Sequence, residues 1–261
     1  MRRIRLQLSK KDNIHYKYLD ILHDALVNAW RKAGATSEQI TGMNALPWNF
    51  AALGGQNKRG KMVHTLIVST PDATLAKILR CLNPADIRYT RASTVEHVDF
   101  AGAQITIEDD PILPNQNALG VLMLSPLAIR QRQGKISPPS PKEEPPPFRK
   151  GGQGRIYWHT HLGECDLSAA INHRLSRIAG RDIQLQVQPD NLYIRCNPDH
   201  SVLVPIKQMR QGKNAFVIGM SAPLVLMGCE NDLRFAWYAG LGEKTRNGFG
   251  CIGLAEQGVG R

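Results

Sequence analysis

The sequence predicts an α+β fold of two tandem ferredoxin-like (RRM-like) lobes, on the strength of its element order and one interruption. Segments of period two and of helical period follow one another as strand–helix–strand–strand–helix–strand over the first third of the chain. After a stretch rich in proline and glycine, the same order returns in expanded form. An apolar share of 42% against 21% charged suffices for packed cores.

In the first lobe, expected over 1–115, residues 2–8 alternate as Arg3, Ile4, Arg5, Leu6, Gln7 and Leu8, which reads as a strand. Leu19, Leu22, Leu26 and Ala29 or Trp30 share one helical face over 16–33, and Gly34 ends the helix. Two strands, 47–53 and 61–69, flank a basic turn from Gly54 to Gly60. Thr70-Pro71-Asp72 opens a helix with Thr70 as its cap and a stripe of Leu75, Ile78, Leu79 and Leu82. Strands at 87–95 and 103–108 complete the lobe.

The second lobe, expected over 116–261, begins at the apolar run Leu119 to Leu124. Residues 130–155, with Pro138-Pro139, Pro145-Pro146-Pro147 and Gly151-Gly152, read as a disordered or extended insertion within it. Asp166 caps a helix carrying Leu167, Ile171, Leu175 and Ile178, closed by Gly180. Strands are expected at 182–188, 191–196, 201–206 and 214–221, then a helix at 231–239 and a strand from Phe249 to Leu254.

Charge narrows the partner. Lys and Arg number 33 against 22 Asp and Glu, a net charge of +11, which points to a polyanion and first of all to nucleic acid. No apolar run reaches membrane-spanning length, and the basic start is followed by alternation rather than a signal-peptide core, so a cytoplasmic protein with no membrane partner is expected. The five cysteines, Cys81, Cys165, Cys196, Cys229 and Cys251, form no CxxC pair. They are expected to be reduced, with neither a disulfide framework nor a metal site and no cofactor.

The most informative stretch runs from Ala239 to Gly250, with glycines at 240, 242, 248 and 250. Such a backbone turns sharply and approaches a ligand closely. Lys244, Arg246 and the loop's N–H groups supply phosphate donors. It is neither a Walker loop nor a dinucleotide fingerprint, since a helix precedes it and a strand follows.

Gly240-x-Gly242-Glu243-Lys244-x-x-x-Gly248-Phe249-Gly250 resembles the signature of the CRISPR repeat-processing endoribonucleases of the Cas-six type. The early strand–helix pair, Leu124-Ser125-Pro126 and the two lobes agree with it. The resemblance implies a metal-independent endoribonuclease that cuts precursor CRISPR RNA within each repeat and keeps hold of the guide RNA. It also implies RNA lying in the cleft between the lobes, against Gly240, Gly242, Lys244, Thr245, Arg246 and Asn247. Subunits of a CRISPR effector complex are further partners that the resemblance allows. The alternative is a subunit of such a complex that grips the repeat RNA without cutting it.

Metal-free cleavage uses the RNA 2′-hydroxyl as nucleophile, with a base to deprotonate it, an acid for the 5′-oxygen and a cation for the phosphorane. The products are a 2′,3′-cyclic phosphate and a 5′-hydroxyl. Histidine suits the base, with an unperturbed pKa of roughly 6.5. The resemblance places that histidine on the first helix or in the loop after it, and the loop Ala35 to Leu46 holds none. There, Ser37, Thr41 and Asn44 are limited to orienting phosphate. His23, on the edge of the Leu19–Leu22–Leu26 stripe, is therefore the first choice, with Lys244 as electrostatic partner. His15, His64 and the pair His159 and His161 are the other candidates, whereas His97, His173 and His200 read as surface residues.

Further RNA contacts are expected from Arg3 and Arg5 and from the turn Lys58, Arg59 and Lys61. A second basic turn, Lys207, Arg210 and Lys213, joins them, and the resemblance implies that a hairpin there meets the repeat's stem. Tyr16, Trp48 and Trp158 are either core residues or stacking platforms for bases.

Overall fold

The computed structural model describes residues 1–9, 14–57, 60–92, 96–132, 155–157, 166–198, 200–209 and 212–254. The first lobe consists of β1 (Arg2–Gln7), α1 (Asp20–Lys32), β2 (Asn49–Leu53), β3 (Thr65–Thr70), α2 (Ala73–Leu79) and β4 (Gln104–Ile107). Its sheet runs β2-β3-β1-β4 with every pairing antiparallel. Each helix joins two strands that run the same way and leaves room for a third between them, the ferredoxin-like arrangement.

The second lobe repeats this plan with β5 (Ala118–Met123), α3 (Leu167–Ala179), β6 (Gln186–Pro189), β7 (Leu224–Met227), α4 (Glu230–Ala239) and β8 (Ile252–Leu254). Its antiparallel order is β6-β7-β5-β8. The fold is thus two tandem ferredoxin-like lobes, as the element order predicts.

The periodicities explain the packing. In α1, Ile21, Leu22, Ala25, Leu26, Ala29 and Trp30 are buried in two adjacent rows. They form one cluster with Ile4 and Leu6 of β1 and with Phe50, Leu66 and Val68 of the neighbouring strands. The opposite face of this sheet also lacks solvent. Ala51, Leu53 and Ile67 pack there against Cys251 of the second lobe.

Arg3 lies on that covered face and is only 1% exposed, so the RNA contact expected of it is not made. Its guanidinium donates to Glu108 over 2.7 Å and to Ile252 O over 2.7 Å, and it stands 4.4 Å from the centre of the Trp237 ring. Arg5 pairs with the same Glu108 carboxylate. Alternation in β1 marks a polar face, but the second lobe docks on it, and internal partners replace water.

Three local expectations are corrected. Asp72, not Thr70, caps α2, accepting from Leu75 N over 2.8 Å, while Thr70 Oγ1 donates to Pro47 O. Residues 191–196 form a short helix, Asn191–Cys196, instead of a strand. The Asp190 side chain accepts from Tyr193 N over 2.9 Å, a local cap that outweighs the strand propensity of Leu192, Tyr193 and Ile194. The third strand of the second sheet is β7, which falls between the strand expected at 214–221 and the helix expected at 231–239, where no strand is expected.

The two strands expected at 201–206 and 214–221 form a hairpin outside that sheet, Ser201–Gln208 with Asn214–Met220. One of its faces, with Val202, Val204, Ile206 and Val217, packs on the first lobe. There Pro205 O accepts from Leu19 N over 3.1 Å. The proline- and glycine-rich interruption is flanked by paired strands Arg130–Arg132 and Arg155–Tyr157, and the rest of that expectation falls outside the described residues. Among the described residues no helix is long and apolar enough to cross a membrane.

Candidate functional site

The glycine loop leaves α4 at Gly240 and enters β8 after Gly250. Its glycines serve packing within the protein itself. A Cβ on Gly250, where φ is +70°, would stand 1.8 Å from Leu241 O, and one on Gly242 would stand 2.5 Å from Ala128 O. On the first-lobe side, a Cβ on Gly248 would lie 2.8 Å from the Phe50 ring, and one on Gly240 would lie 3.3 Å from the Asn49 side chain. Asn49 Nδ2 donates to Tyr238 O over 2.7 Å, and Ser69 Oγ donates to the same oxygen over 2.6 Å. The loop is thereby wedged between the lobes, and the part of it that lines open space runs from Gly242 through Asn247.

That part forms one wall of a cleft of about 1060 Å³. Lys244, in the left-handed region at φ 58°, is exposed, as is Asn247, whereas Thr245 is buried. Arg246 is half-buried and reaches back to Ile40 O over 3.4 Å. The facing wall is α3, through Ala169, Ala170, His173, Arg174, Arg177 and Ile178, and Ala45 and Pro47 of the first lobe close one side. Four basic side chains, Arg174, Arg177, Lys244 and Arg246, therefore face one carboxylate, Glu243.

Arg174 ties the walls together by donating to Gly240 O over 3.0 Å and to Thr245 Oγ1 over 2.7 Å. Burial, and after it the charge of Arg177, push its pKa down to about 10, against a smaller opposite pull from Glu243. Burial likewise lowers Arg246. Both shifts are led by burial, which holds the two guanidinium groups out of full contact with water, and a nearby anion would relieve that cost.

The sequence reading omits Arg174 and Arg177 and assigns His173 to the surface. Helical register carried the missing signal. With Leu167, Ile171 and Leu175 facing the core, His173 and Arg177 fall on the exposed face and Arg174 on its border.

The expected base, His23, is half-buried on α1 and does not line the cleft. Its ring stacks on Trp48 with centroids 5.9 Å apart, and its Nδ1 lies 3.2 Å from Asp24 Oδ1. Trp48 Nε1 donates to Ile40 O over 3.1 Å, the same oxygen that Arg246 approaches, so His23 is one ring removed from the cleft wall. Arg91 fixes this corner by pairing with Asp20 over 2.6 Å and Asp24 over 3.0 Å.

Of the other candidates, His15 is half-buried with Nδ1 enclosed and without a hydrogen-bond partner among the described residues, and His64 Nδ1 bonds Thr65 Oγ1 over 2.8 Å. Neither lines the cleft. Tyr16 and Trp48 are buried in the core. Lys61, paired with Tyr16 across two strands, is half-buried, and burial lowers its pKa. Lys58, Arg59, Arg210, Trp158, His159 and His161 lie outside the described residues. Among the described residues no group of three or more His, Cys, Asp or Glu is placed to hold a metal.

A family model, CRISPR associated protein Cas6, C-terminal, matches residues 109–254, the stretch that builds α3, the hairpin and the glycine loop. The chain belongs to the Cas6 family. No curated protein matches it. Among solved structures, this Cas6-family chain is similar to a Cas6-related protein from Pyrococcus furiosus, at 15% identity and a TM-score of 0.64 over 98% of this chain and 99% of that one. It is also similar to a protein described as CRISPR associated protein Cas6, at 12% identity and a TM-score of 0.60 over 97% and 99%. A third is a RAMP protein described as binding different RNA substrates, at 16% identity and a TM-score of 0.58 over 97% and 99%. At such identities the likeness is one of fold, and what the site of this Cas6-family chain can do rests on its own residues.

Proposed function

We propose that this Cas6-family chain cleaves precursor CRISPR RNA within its repeats, without a metal, while the repeat backbone lies between α3 and the glycine loop. The observation that carries the reading is the cleft's imbalance of four basic side chains against one carboxylate. A phosphodiester chain supplies the missing negative charge.

The 2′-hydroxyl attacks the adjacent phosphorus, and His23 removes its proton. A carboxylate beside Nδ1 makes that nitrogen the donor, so neutral His23 carries its lone pair on Nε2, the atom a base uses. Stacking on Trp48 holds the ring plane. Lys244 and Arg246 offset the charge that builds on the phosphorane. Cleavage leaves a 2′,3′-cyclic phosphate and a 5′-hydroxyl.

The test is incubation with repeat RNA in EDTA, followed by analysis of the new ends. His23→Ala should lower the cleavage rate roughly 10²–10⁴-fold with nearly unchanged binding. Wild-type rates in that variant would overturn the assignment of the base. The histidine-free loop Ala35 to Leu46, and the position of His23 outside the cleft lining, favour a second reading. In it the chain is a subunit that grips the repeat without cutting, and tightly held, uncut RNA in the same assay would support it.

A further inference from the structure

We propose that His173 is the general acid of the reaction, the group that protonates the 5′-oxygen as it leaves. The inference rests on the cleavage reading above and fills the role that His23 and Lys244 leave open.

His173 is the one histidine among the residues lining the cleft. It is exposed and has no hydrogen-bond partner among the described residues, so both ring nitrogens remain available to a ligand. Its mounting is rigid. Asp166 caps α3 by accepting from Ala169 N over 2.8 Å, Leu167, Ile171 and Leu175 root the helix in the core, and the next residue, Arg174, is bonded to the glycine loop. Arg177, one turn further along, lines the same wall. A phosphate drawn in by Arg174 and Arg177 from one side and by Lys244 and Arg246 from the other comes to rest beside the imidazole.

The step balances. His23 takes the proton of the 2′-hydroxyl as the O2′–P bond forms. The P–O5′ bond breaks, and the 5′-oxygen keeps its electron pair and takes a proton from the His173 imidazolium. One proton has then passed from His173 to His23 overall, and exchange with water resets both. The charged groups facing His173 are Arg174 and Arg177 on its own helix and Glu243, Lys244 and Arg246 on the loop.

The experiment compares wild type, His173→Ala and His173→Gln on two repeat RNAs, one normal and one with sulfur in place of the bridging 5′-oxygen at the cut. A thiolate leaves without a proton. On normal RNA both variants should lose roughly 10²–10⁴ in rate and the alkaline limb of the pH–rate profile. On the sulfur-bridged RNA they should recover to within a few-fold of wild type, whereas His23→Ala should not recover. RNA binding should change little. Wild-type rates in His173→Ala on normal RNA, or equal losses on both substrates, overturn the role of His173 and leave the cleavage reading standing. A wild type that holds both RNAs and cuts neither overturns the two together.

Discussion

Arg174 Nη2 and Thr245 Oγ1 are joined by a 2.7 Å hydrogen bond that connects the cleft-facing helix of the second lobe to the loop opposite it. With the bond from Nη1 to Gly240 O, it makes one side chain the brace of the candidate site. Arg174→Ala should destabilise the fold by about 1–3 kcal/mol through the acceptors left unpaired. It should also weaken repeat-RNA binding. Thermal melts and RNA titrations check both. The guanidinium is held at a pKa of about 10, well below the ordinary arginine value of an unfolded chain. The native state thus binds fewer protons between those values, so this group's penalty is full below about pH 10 and lifts above it. An anion relieves the same penalty. Added polyphosphate should therefore raise the melting temperature of wild type more than that of Arg174→Ala.

Lys244 and Arg246 line the cleft on the loop side. Replacing both by alanine should weaken binding to any repeat sequence alike. The slope of log affinity against log salt should become shallower by about 1–1.5 if two single-strand phosphate contacts are lost. An unchanged slope would show that the loop does not touch the backbone of the RNA.

Gly250→Ala places a Cβ 1.8 Å from Leu241 O at a left-handed φ of +70°. Destabilisation above about 2 kcal/mol is expected, because the obstacle is backbone and cannot swing aside. Gly120→Ala serves as control, since its Cβ meets nothing within 4 Å, and it should change stability by less than about 0.5 kcal/mol. Denaturant titration of the two variants tests the pair.

Asp232 is buried on α4. Burial raises its carboxyl pKa, but the Gln184 N–H, Arg181 and Cys229 together outweigh burial and hold it below the ordinary carboxylate value. The folded pKa is the lower one, so the stabilisation is present above the unfolded value and fades as pH falls through the folded one. Wild type should lose stability on acidification below about pH 4, the unperturbed Asp range. Asp232→Asn should show a flatter acid limb from a lower starting point, as melts across pH would record.

Much of the frame was legible in the sequence because it follows from local periodicity. Ile4 and Leu6 alternate, α1 repeats every 3.6 residues, and the Asp166 cap with Gly180 at φ +65° closes α3 as expected. Residues 191–196 misled because Leu192, Tyr193 and Ile194 have strand propensity, while a single Asp190 cap decides for helix. The Leu224–Met227 strand was hidden in a run that alternation does not separate from the preceding hairpin. The glycine loop was legible as a feature, but the packing of its glycines against Leu241, Ala128 and Phe50 was not, because those neighbours are distant in sequence or set by the loop's own turn.

Composition and pattern alone thus determined two α+β repeats, a surplus of positive charge and a distinctive loop ahead of the last strand. Those properties live in residue type and near-neighbour spacing. Only the tertiary structure decided that Arg3 is internal, that His173, Arg174 and Arg177 face Lys244 and Arg246 across one cleft, and that His23 stands a ring behind it. The first depends on how the second lobe docks against the first, and the others on how a helix packs against a loop or strand far from it in the chain; such contacts join residues as distant in sequence as Arg174 and Thr245, or Asn49 and Tyr238, a relation that no local period encodes.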